Sequence, residues 1–331
     1  MNVLVTGAAG YIGSIVTEQL VQEGDRAIAL DNLQQGHRDA VAPEATFIEA
    51  DLADSQALDM VFQHYSIKAV MHLAAETVVE YSMSDPGRFF RTNVIYGVNL
   101  LDTMVRHNVN KLIFSSTAAV YGEPEAIPVE EAHPLRPVNA YGESKLIFER
   151  ILHWYGQAHG LRFISLRYFN AAGASERYGG DQRPETHLIP IVLKVALGQS
   201  DHVSIFGTDY DTRDGSCIRD YVHVLDIAAA HLLALKNLNN PGNKTYNLGN
   251  GHGYSVIEVI EAARRVTGAE IPCRACSRRP GDPAALVASS RLAKSELRWQ
   301  PKYPDLESII ESAWQWQRKR PHGYGARRKA L

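Results

Sequence analysis

The chain has few cysteines and no long apolar run, and both features narrow its class. Three cysteines among 331 residues cannot build a disulfide framework. The nearest approach to a long apolar run, residues 227–235, is interrupted by His231 and is far shorter than the ~20 residues that a membrane helix requires. We therefore expect no membrane partner. Since residues 1–6 have the pattern of a strand and not of a signal peptide, we also expect a cytoplasmic location.

The sequence also lacks a metal-binding pattern. Cys273 and Cys276 form one C-x₂-C pair with no second pair nearby, whereas structural zinc has four ligands. The 13 histidines show no spacing typical of metal ligands. We therefore predict no metal site.

A strong excess of one charge is also missing, since the net charge is −3. Residues 318–331 nevertheless carry six cations and no acidic residue. Such a tail can bind a polyanion but is also typical of a solvated terminus. Because the remainder is acidic and has no pattern of basic residues interleaved with aromatic ones, we expect no nucleic-acid partner.

Strand and helix patterns alternate over the first 170 residues. The predicted strands are 2–6, 26–30, 46–48, 69–73, 111–115 and 162–168, and the predicted helices are 11–22, 58–65, about 85–107 and 141–159. This alternation is typical of an α/β fold with a doubly wound parallel (Rossmann) sheet covered on both faces.

The regular alternation ends in a polar stretch at 171–186, and a less regular part follows. Its predicted elements are helices near 187–198, 224–238, 255–267 and 306–317 and a strand at 244–248. We predict a dinucleotide-binding domain of residues 1–172 plus about 222–248. A smaller interleaved substrate domain would take about 173–221 plus 249–317, followed by the basic tail 318–331.

A glycine-rich loop joins the first predicted strand to the first helix. It consists of Gly7, Ala8, Ala9, Gly10, Tyr11, Ile12 and Gly13. Glycines in this setting let the backbone turn sharply and approach a pyrophosphate, and the following helix N-terminus offers free N–H groups. The loop therefore predicts a dinucleotide cofactor.

Acidic residues after the next two strands indicate which dinucleotide. Asp31 lies about 20 residues beyond the loop, where a carboxylate accepts ribose hydroxyls and repels a 2′-phosphate. NAD is therefore predicted over NADP. Asn32 would extend this ribose contact, and Asp51 with Leu52 would bracket the adenine.

A tyrosine and a lysine, Tyr141 and Lys145, lie four residues apart on one face of a predicted helix. A phenol is a poor base at neutral pH, but a nearby cation lowers its pKa. We expect Lys145 to have this effect and Tyr141 to serve as a general base. Thr117, at the end of the preceding strand, is the expected partner that orients a substrate hydroxyl. Ser115 and Ser116 precede it.

These features together resemble the extended short-chain dehydrogenase/reductases, and among them the UDP-glucose 4-epimerase family. The resemblance covers residues 1 to about 318. Its more specific part is the second half, with segments 184–190 (PETHLIP), 205–210 (IFGTDY), 214–224 (DGSCIRDYVHV), 246–249 (YNLG) and 278–284 (RRPGDPA).

The resemblance implies further site residues. Against the cofactor it places Leu73, Ala74, Ala75, Asn93, Ser115 and Tyr168. Against a UDP-hexose it places Asn170, His187 and Leu188 near the uracil or diphosphate, Arg219 and Arg279 on the diphosphate, and Asp282 on the uridine ribose. The two long helices resemble dimer helices of the superfamily, so a homodimer is expected by analogy.

Two positions depart from the family pattern. Thr77 stands where many members carry a lysine near the cofactor, so one cofactor contact is lost or replaced. Leu286 stands where a Tyr, Cys or Ser often limits the space around C2 of the sugar. This second departure predicts room for an N-acetyl group and leaves the choice between UDP-hexoses and UDP-N-acetylhexosamines open.

The implied activity is interconversion of UDP-glucose and UDP-galactose through a transient 4-keto sugar. The alternatives are a nucleotide-sugar 4,6-dehydratase or decarboxylase of the same superfamily, or a non-catalytic regulator that senses NAD. The first two need an acidic residue after Thr117, where this chain has Ala118 and Ala119. The regulator is disfavoured by the Tyr141–Lys145 pair.

Overall fold

A central parallel sheet organises the computed structural model, which describes residues 1–240, 242–279 and 282–325. The strands of the whole structure are β1 (Asn2–Thr6), β2 (Arg26–Asp31), β3 (Thr46–Glu49), β4 (Ala69–His72), β5 (Lys111–Thr117), β6 (Arg162–Tyr168), β7 (Asn170–Ala172), β8 (Val203–Phe206), β9 (Ile218–His223), β10 (Lys244–Leu248), β11 (Gly253–Ser255), β12 (Cys273–Cys276) and β13 (Ala285–Leu286). The helices are α1 (Tyr11–Gln22), α2 (Ser55–Tyr65), α3 (Val79–Ser84), α4 (Pro86–Phe90), α5 (Tyr96–Arg106), α6 (Ala140–His159), α7 (Leu188–Ala196), α8 (Val224–Asn237), α9 (Val256–Thr267), α10 (Arg291–Glu296) and α11 (Leu306–Lys319).

The strand order of the central sheet fixes where a ligand can bind. Within the described residues the order is β10-β6-β5-β4-β1-β2-β3, and every pairing is parallel. The chain winds outward in one direction from β1 to β3 and in the other from β4 to β10. The order thus reverses between β1 and β4, and the carboxyl ends of these strands leave a crevice there.

Burial on both faces explains why the central strands are apolar throughout. In β1, Val3 and Val5 pack into one core with α1 and α8, whereas Leu4 packs into the other core with α2 and α5. A strand that alternates between two cores has no polar side, which is typical of parallel sheets covered by helices. The predicted doubly wound α/β fold is confirmed.

The second part of the chain forms two small sheets. Strand β9 pairs with β7 and β13 in parallel and with β11 in antiparallel orientation, and β8 pairs with β12. Helices α7, α9 and α11 cover a third apolar core. The short strands β7, β9, β11 and β13 were not predicted, because strands of two to six residues in polar sequence give no clear alternation.

The predicted division into domains stays a prediction. Strand β10 lies in the central sheet, whereas β9 belongs to the second part. Of the tail, helix α11 extends to Lys319, and Tyr324 is buried, with its hydroxyl 3.0 Å from the Gly179 nitrogen. The rest of the basic tail, 326–331, lies outside the described residues, as do Pro280 and Gly281. Within the described parts of the chain, no helix has the length and apolar character needed to cross a membrane.

The predicted single helix over 85–107 is wrong in one respect. The structure has α4, then one wide π-helical turn at Arg91–Ile95, then α5. The π turn carries Asn93, whose buried side chain accepts the Glu76 N–H and donates to the Glu76 carbonyl and to Ser144 Oγ. Such insertions are frequent at functional sites. The spacing of apolar residues along a helix cannot reveal one inserted residue, because apolar side chains face the core again after the π turn.

Helix α5 approaches α6 closely at Gly97. A Cβ added there would lie 2.4 Å from Cε2 of Phe148, whose ring is fully buried and packs 4.8 Å from Phe114. Gly87 in α4 is the matched case without crowding, since its nearest neighbour would lie at 3.8 Å.

We therefore expect opposite effects from two glycine-to-alanine substitutions. Gly97→Ala should lower the free energy of unfolding by about 1–3 kcal/mol through overpacking. Gly87→Ala should leave it unchanged or raise it by up to ~1 kcal/mol, because alanine favours helix. Urea unfolding of both variants measures the difference. Equal stability of the two variants would contradict close packing at Gly97.

Candidate active site

One cleft of about 1040 Å³ runs along the carboxyl ends of the central strands and reaches the second part of the chain. Its lining contains most of the residues that the sequence predicts for the site: Gly7, Gly10, Tyr11, Ile12, Gly13, Asp31, Asn32, Asp51, Leu52, Leu73, Ala74, Ala75, Ser115, Thr117, Tyr141, Lys145, Tyr168, Asn170, His187, Arg219, Arg279, Asp282 and Leu286. The fold therefore brings the predicted cofactor, base and substrate residues into one cavity.

Two predicted site residues, Asn93 and Leu188, do not line the cleft. Asn93 is buried behind its wall, where it joins the loop at Glu76 to helix α6. Leu188 begins α7 and packs against the third core. Direct ligand contact by either residue stays a prediction.

The glycine loop forms a cradle in which positions 7 and 13 leave no space for a larger residue. Gly7 has φ +71°, and a Cβ there would lie 2.6 Å from the Ala74 nitrogen. A Cβ on Gly13 would lie 2.0 Å from the Gly7 carbonyl oxygen. Gly10 precedes α1 without a side-chain cap, so N–H groups of the first turn remain free for an anion. These features fit the pyrophosphate of a dinucleotide.

Asp31 is fixed at the rim of this cradle by two backbone donors. Its Oδ2 accepts from the Ala9 N–H at 2.9 Å and its Oδ1 from the Leu33 N–H at 2.8 Å. Burial raises the pKa of Asp31, while these two hydrogen bonds oppose the shift. The neighbouring Asn32 donates to Asp51 Oδ2 at 2.7 Å. The carboxylates at the ends of β2 and β3 thus form one polar edge of the cleft, as a ribose-binding site requires.

Helix α6 places the proposed base at the other end of the cradle. The side chain of Asn139 caps the helix by accepting the Gly142 N–H at 2.8 Å, which fixes the first turn and Tyr141 in it. One turn later, Lys145 is buried and donates from Nζ to the Ser115 carbonyl at 2.8 Å. The same Nζ lies 4.9 Å from the centre of the Phe114 ring.

Burial controls the protonation of both groups. It raises the pKa of the Tyr141 phenol, and a hydrogen bond with Thr117 opposes that shift. Burial also lowers the pKa of Lys145 to about 7, opposed by the charge of Glu149. The net pKa of the phenol in the protein alone is therefore raised, and its lowering by Lys145 stays a prediction. Lys145 is buried with its ammonium directed toward the Ser115 carbonyl, whereas Tyr141 is partly exposed to the cleft.

The far end of the cleft is basic. Arg219 Nη1 donates to the Ile218 carbonyl at 2.8 Å and to the Pro283 carbonyl at 2.9 Å, and Nη2 lies 3.0 Å from Asp282 Oδ1. The pairing of β13 with β9 sets Leu286 directly beside Arg219. A rigid guanidinium beside a carboxylate is suited to a diphosphate and a diol.

The other substrate residues differ in how firmly they are held. Asn170 donates to the Asp220 carbonyl at 3.0 Å at the start of β7. His187 is half exposed, with Nδ1 2.9 Å from Glu185 Oε1. Both side chains have capacity for a ligand, since the Asn170 carbonyl oxygen and the other His187 nitrogen are not used in these bonds.

Phe206 is a cleft residue to which the sequence analysis gave no role. Phe206 ends β8, and the guanidinium of Arg279 lies 4.0 Å from the centre of its ring. An aromatic ring stacked on a cation at the basic end offers a flat apolar surface for a base. The sequence feature that could have indicated Phe206 is an aromatic residue directly before a glycine. In the structure this glycine, Gly207, has a φ of +85°, so the chain turns sharply after the strand.

Among the residues that the structure describes, no three His, Cys, Asp or Glu side chains are grouped so that they could hold a metal ion. The Cys273 and Cys276 side chains are both free, on strand β12.

Comparison with known proteins agrees with this geometry. The model of the NAD dependent epimerase/dehydratase family matches residues 3–249. The chain is 52% identical to the UDP-glucose 4-epimerase of Halalkalibacterium halodurans, with 99% of each chain covered, and 48% identical to that of Lacticaseibacillus casei, with 99% of this chain and 100% of the relative covered.

Solved structures lead to the same group. The crystal structure of UDP-glucose 4-epimerase from Brucella ovis in complex with NAD is 42% identical, with a TM-score of 0.92 and 95% and 97% of the two chains covered. The enzyme from Bifidobacterium longum in complex with NAD⁺ and UDP is 37% identical, with a TM-score of 0.93 and 98% and 100% covered. With its glycine cradle, its Tyr141–Lys145 helix and these relatives, the chain belongs to the NAD dependent epimerase/dehydratase family.

Proposed function

We propose that the chain interconverts UDP-glucose and UDP-galactose by inverting carbon 4 of the hexose, with NAD bound throughout. The observation that carries this proposal is that one cleft joins a dinucleotide cradle, the neighbouring Tyr141 and Thr117, and the arginines 219 and 279. Relatives that match this chain over nearly its whole length are named UDP-glucose 4-epimerase.

In the proposed reaction, the phenolate of Tyr141 takes the proton of the C4 hydroxyl, while Thr117 orients that hydroxyl. NAD held in the glycine cradle would supply a reversible acceptor for the hydride that leaves C4 with its electron pair. The 4-keto sugar turns in the cleft while its nucleotide stays on Arg219 and Arg279. Tyr141 then returns the proton, so sugar and cofactor end without net oxidation.

This scheme requires positive charge near Tyr141. Burial alone raises its pKa, which disfavours the phenolate that the reaction needs. A protonated Lys145 would favour the phenolate, and the positive charge of an oxidised nicotinamide in the cleft would add to this effect.

The remaining site residues take the proposed roles that their positions allow. Asp31, Asn32, Asp51 and Leu52 would hold the adenosine half of NAD. The nicotinamide half would lie against Leu73, Ala74, Ala75, Ser115 and Tyr168, with Asn93 supporting the wall. Asn170, His187 and Leu188 would lie near the uracil or diphosphate, and Asp282 would bind the uridine ribose.

Dehydration or decarboxylation of the sugar is not favoured by the cleft. Ala118 and Ala119 follow Thr117 in the lining and offer no proton. The NAD-sensing regulator is also disfavoured, because it has no use for a tyrosine beside Thr117 in the cleft with a buried lysine one turn further along the helix.

The first test identifies the product. Purified protein incubated with UDP-galactose, without added NAD, should form UDP-glucose of unchanged mass, because the sugar carbon is only inverted. A parallel incubation with UDP-N-acetylgalactosamine should also give its epimer, since Leu286 is smaller than the tyrosine that often limits the space around C2 of the sugar. Mass spectrometry with chromatographic separation of the epimers measures both. Loss of water or CO₂ from the substrate would contradict the proposal, and no turnover would favour the regulator.

The second test addresses the base. Tyr141→Phe should lower kcat by more than ~10²-fold, because it removes the group that transfers the proton. NAD content and thermal stability should stay close to those of the unchanged protein. The matched control is Tyr155→Phe on the same helix, whose hydroxyl bonds Asp102 outside the cleft. If the Tyr141 variant retained nearly full activity, another group would have to be the base.

We also propose that the protein is a homodimer in which the helical segment 91–106 and helix α6 face a second copy. Ile95 and Trp154 expose 55% and 66% of their surface there, which is unusual for large apolar side chains. Trp154→Glu should therefore halve the mass found by light scattering during gel filtration. Met60→Glu on α2, where the side chain is 63% exposed, is the control that should leave the mass unchanged. A monomeric parent protein would refute this arrangement.

A further inference from the structure

Three consecutive residues at the end of β5 contact three successive turns of α6. Ser115 accepts Lys145 through its carbonyl at 2.8 Å, and the Thr117 hydroxyl lies near the Tyr141 phenol, whose pKa it lowers. Between them, Ser116 Oγ donates to Glu149 Oε1 at 2.5 Å. Residues 141, 145 and 149 are four apart and so lie on one stripe of the helix. The third contact thus belongs to the same seam as the two that hold the reactive groups.

The Glu149 carboxylate is neutralised by a second element. Arg167 of β6 donates from Nε to Oε1 at 3.0 Å and from Nη2 to Oε2 at 2.6 Å, a two-pronged contact. Its Nη1 donates to the Tyr121 hydroxyl at 2.9 Å, and that hydroxyl donates to Asn247 Oδ1 at 2.7 Å. The pair therefore connects the ends of β5, β6 and β10.

This ion pair is almost completely buried, with Arg167 5% and Glu149 9% exposed. Burying two charges loses so much hydration that the pair gives little net stability compared with apolar residues. Stability alone is therefore a weak reason for placing it eight residues from Tyr141. Its position beside Lys145 points to a role in the reaction.

The charged and titratable groups around Lys145 are few. On α6 they are Tyr141 and Glu149, whose charge favours the protonated lysine. From β4 comes His72, with a pKa lowered by burial to about 3, so it stays neutral. From β6 come Tyr168, whose pKa is strongly raised, and Arg167. The loop after β4 contributes the buried Glu76 carboxylate, which is paired with Arg88 at 2.5 Å, and the π turn at Arg91–Ile95 contributes Asn93, which is uncharged. Among the described residues, Glu149 is thus the carboxylate whose charge favours protonated Lys145.

We propose that Glu149 is a positioning residue of this site: it fixes α6 on the end of β5 through Ser116, places a negative charge one turn from Lys145, and is itself balanced by Arg167. This inference rests on the function proposed above, in which a protonated Lys145 favours the Tyr141 phenolate. In this proposal, the charge of Glu149 favours the protonated form of Lys145 and the charge of Arg167 disfavours it.

Because the charges of Glu149 and Arg167 have opposite effects on Lys145, removing each in turn gives a test that a merely structural role would not pass. Glu149→Gln leaves the Arg167 charge uncompensated, so Lys145 should lose its proton more easily. Arg167→Met leaves the Glu149 charge uncompensated, so Lys145 should keep its proton to higher pH. The alkaline limb of the kcat–pH profile should therefore move down by about one pH unit in the first variant and up by about one in the second. NAD content and melting temperature are recorded alongside.

Two outcomes overturn the proposal. If both variants lower kcat without moving the alkaline limb, or move it in the same direction, the pair is only structural. Turnover of UDP-galactose by the unchanged protein is measured first, so a failure of the proposed function is seen separately.

If one single variant does not fold, the direction of the limb shift in the other variant still tests the proposal. The double variant Glu149→Gln with Arg167→Met is the control, since it buries no unpaired charge. Its limb should lie close to that of the unchanged protein. Glu149→Asp, which keeps the charge but shortens the side chain, should lower kcat without a shift of the limb. A shifted limb in either of these variants would also overturn the proposal.

Discussion

The ammonium of Lys145 on the carbonyl of Ser115 is the contact around which the active end of the cleft is built. A buried cation needs a partner, and here a strand end, an aromatic face and a carboxylate one turn further share that task. The direction of α6 follows from this demand, because Tyr141 and Glu149 must then lie one turn to either side. The parallel sheet supplies the rest, since the carboxyl ends of its strands meet where the helix crosses.

The coenzyme end is joined to the substrate end by contacts that cross the cleft. Tyr11, in the first turn of α1, donates to the Gly173 carbonyl at 2.6 Å. His37, beyond the second strand, lies 2.9 Å from the Asp181 carbonyl and packs against Tyr324, with the ring centroids 5.2 Å apart. A reaction that returns its hydride to the same sugar gains nothing from cofactor exchange. These contacts, which fix the cofactor loops to the second part of the chain, suit a coenzyme that stays bound between turnovers.

Sequence reasoning was reliable where a feature depends on neighbours in the chain. The glycine loop is an example, because its function requires only a strand before it and a helix after it, and the structure places both as predicted. It failed where the answer depends on distant residues. The π turn exists because Asn93 must reach Glu76 and Ser144, and Phe206 enters the cleft because Arg279 stacks on it. Glu149 carries no sequence signal of its own, since its partners Ser116 and Arg167 lie on two other elements.

The pairing of Arg219 with Asp282 shows how the basic end can be ready for a nucleotide before one arrives. Two backbone carbonyls already hold Nη1 of the arginine, so its orientation does not depend on the carboxylate. Asp282 engages only Nη2 and is itself one-third exposed. A diphosphate can therefore take Nη2 without reorganising the guanidinium, and the released carboxylate is then free to accept from a ribose diol. Such preorganisation spends little binding energy on ordering side chains, and more of it remains to anchor the nucleotide while the sugar turns.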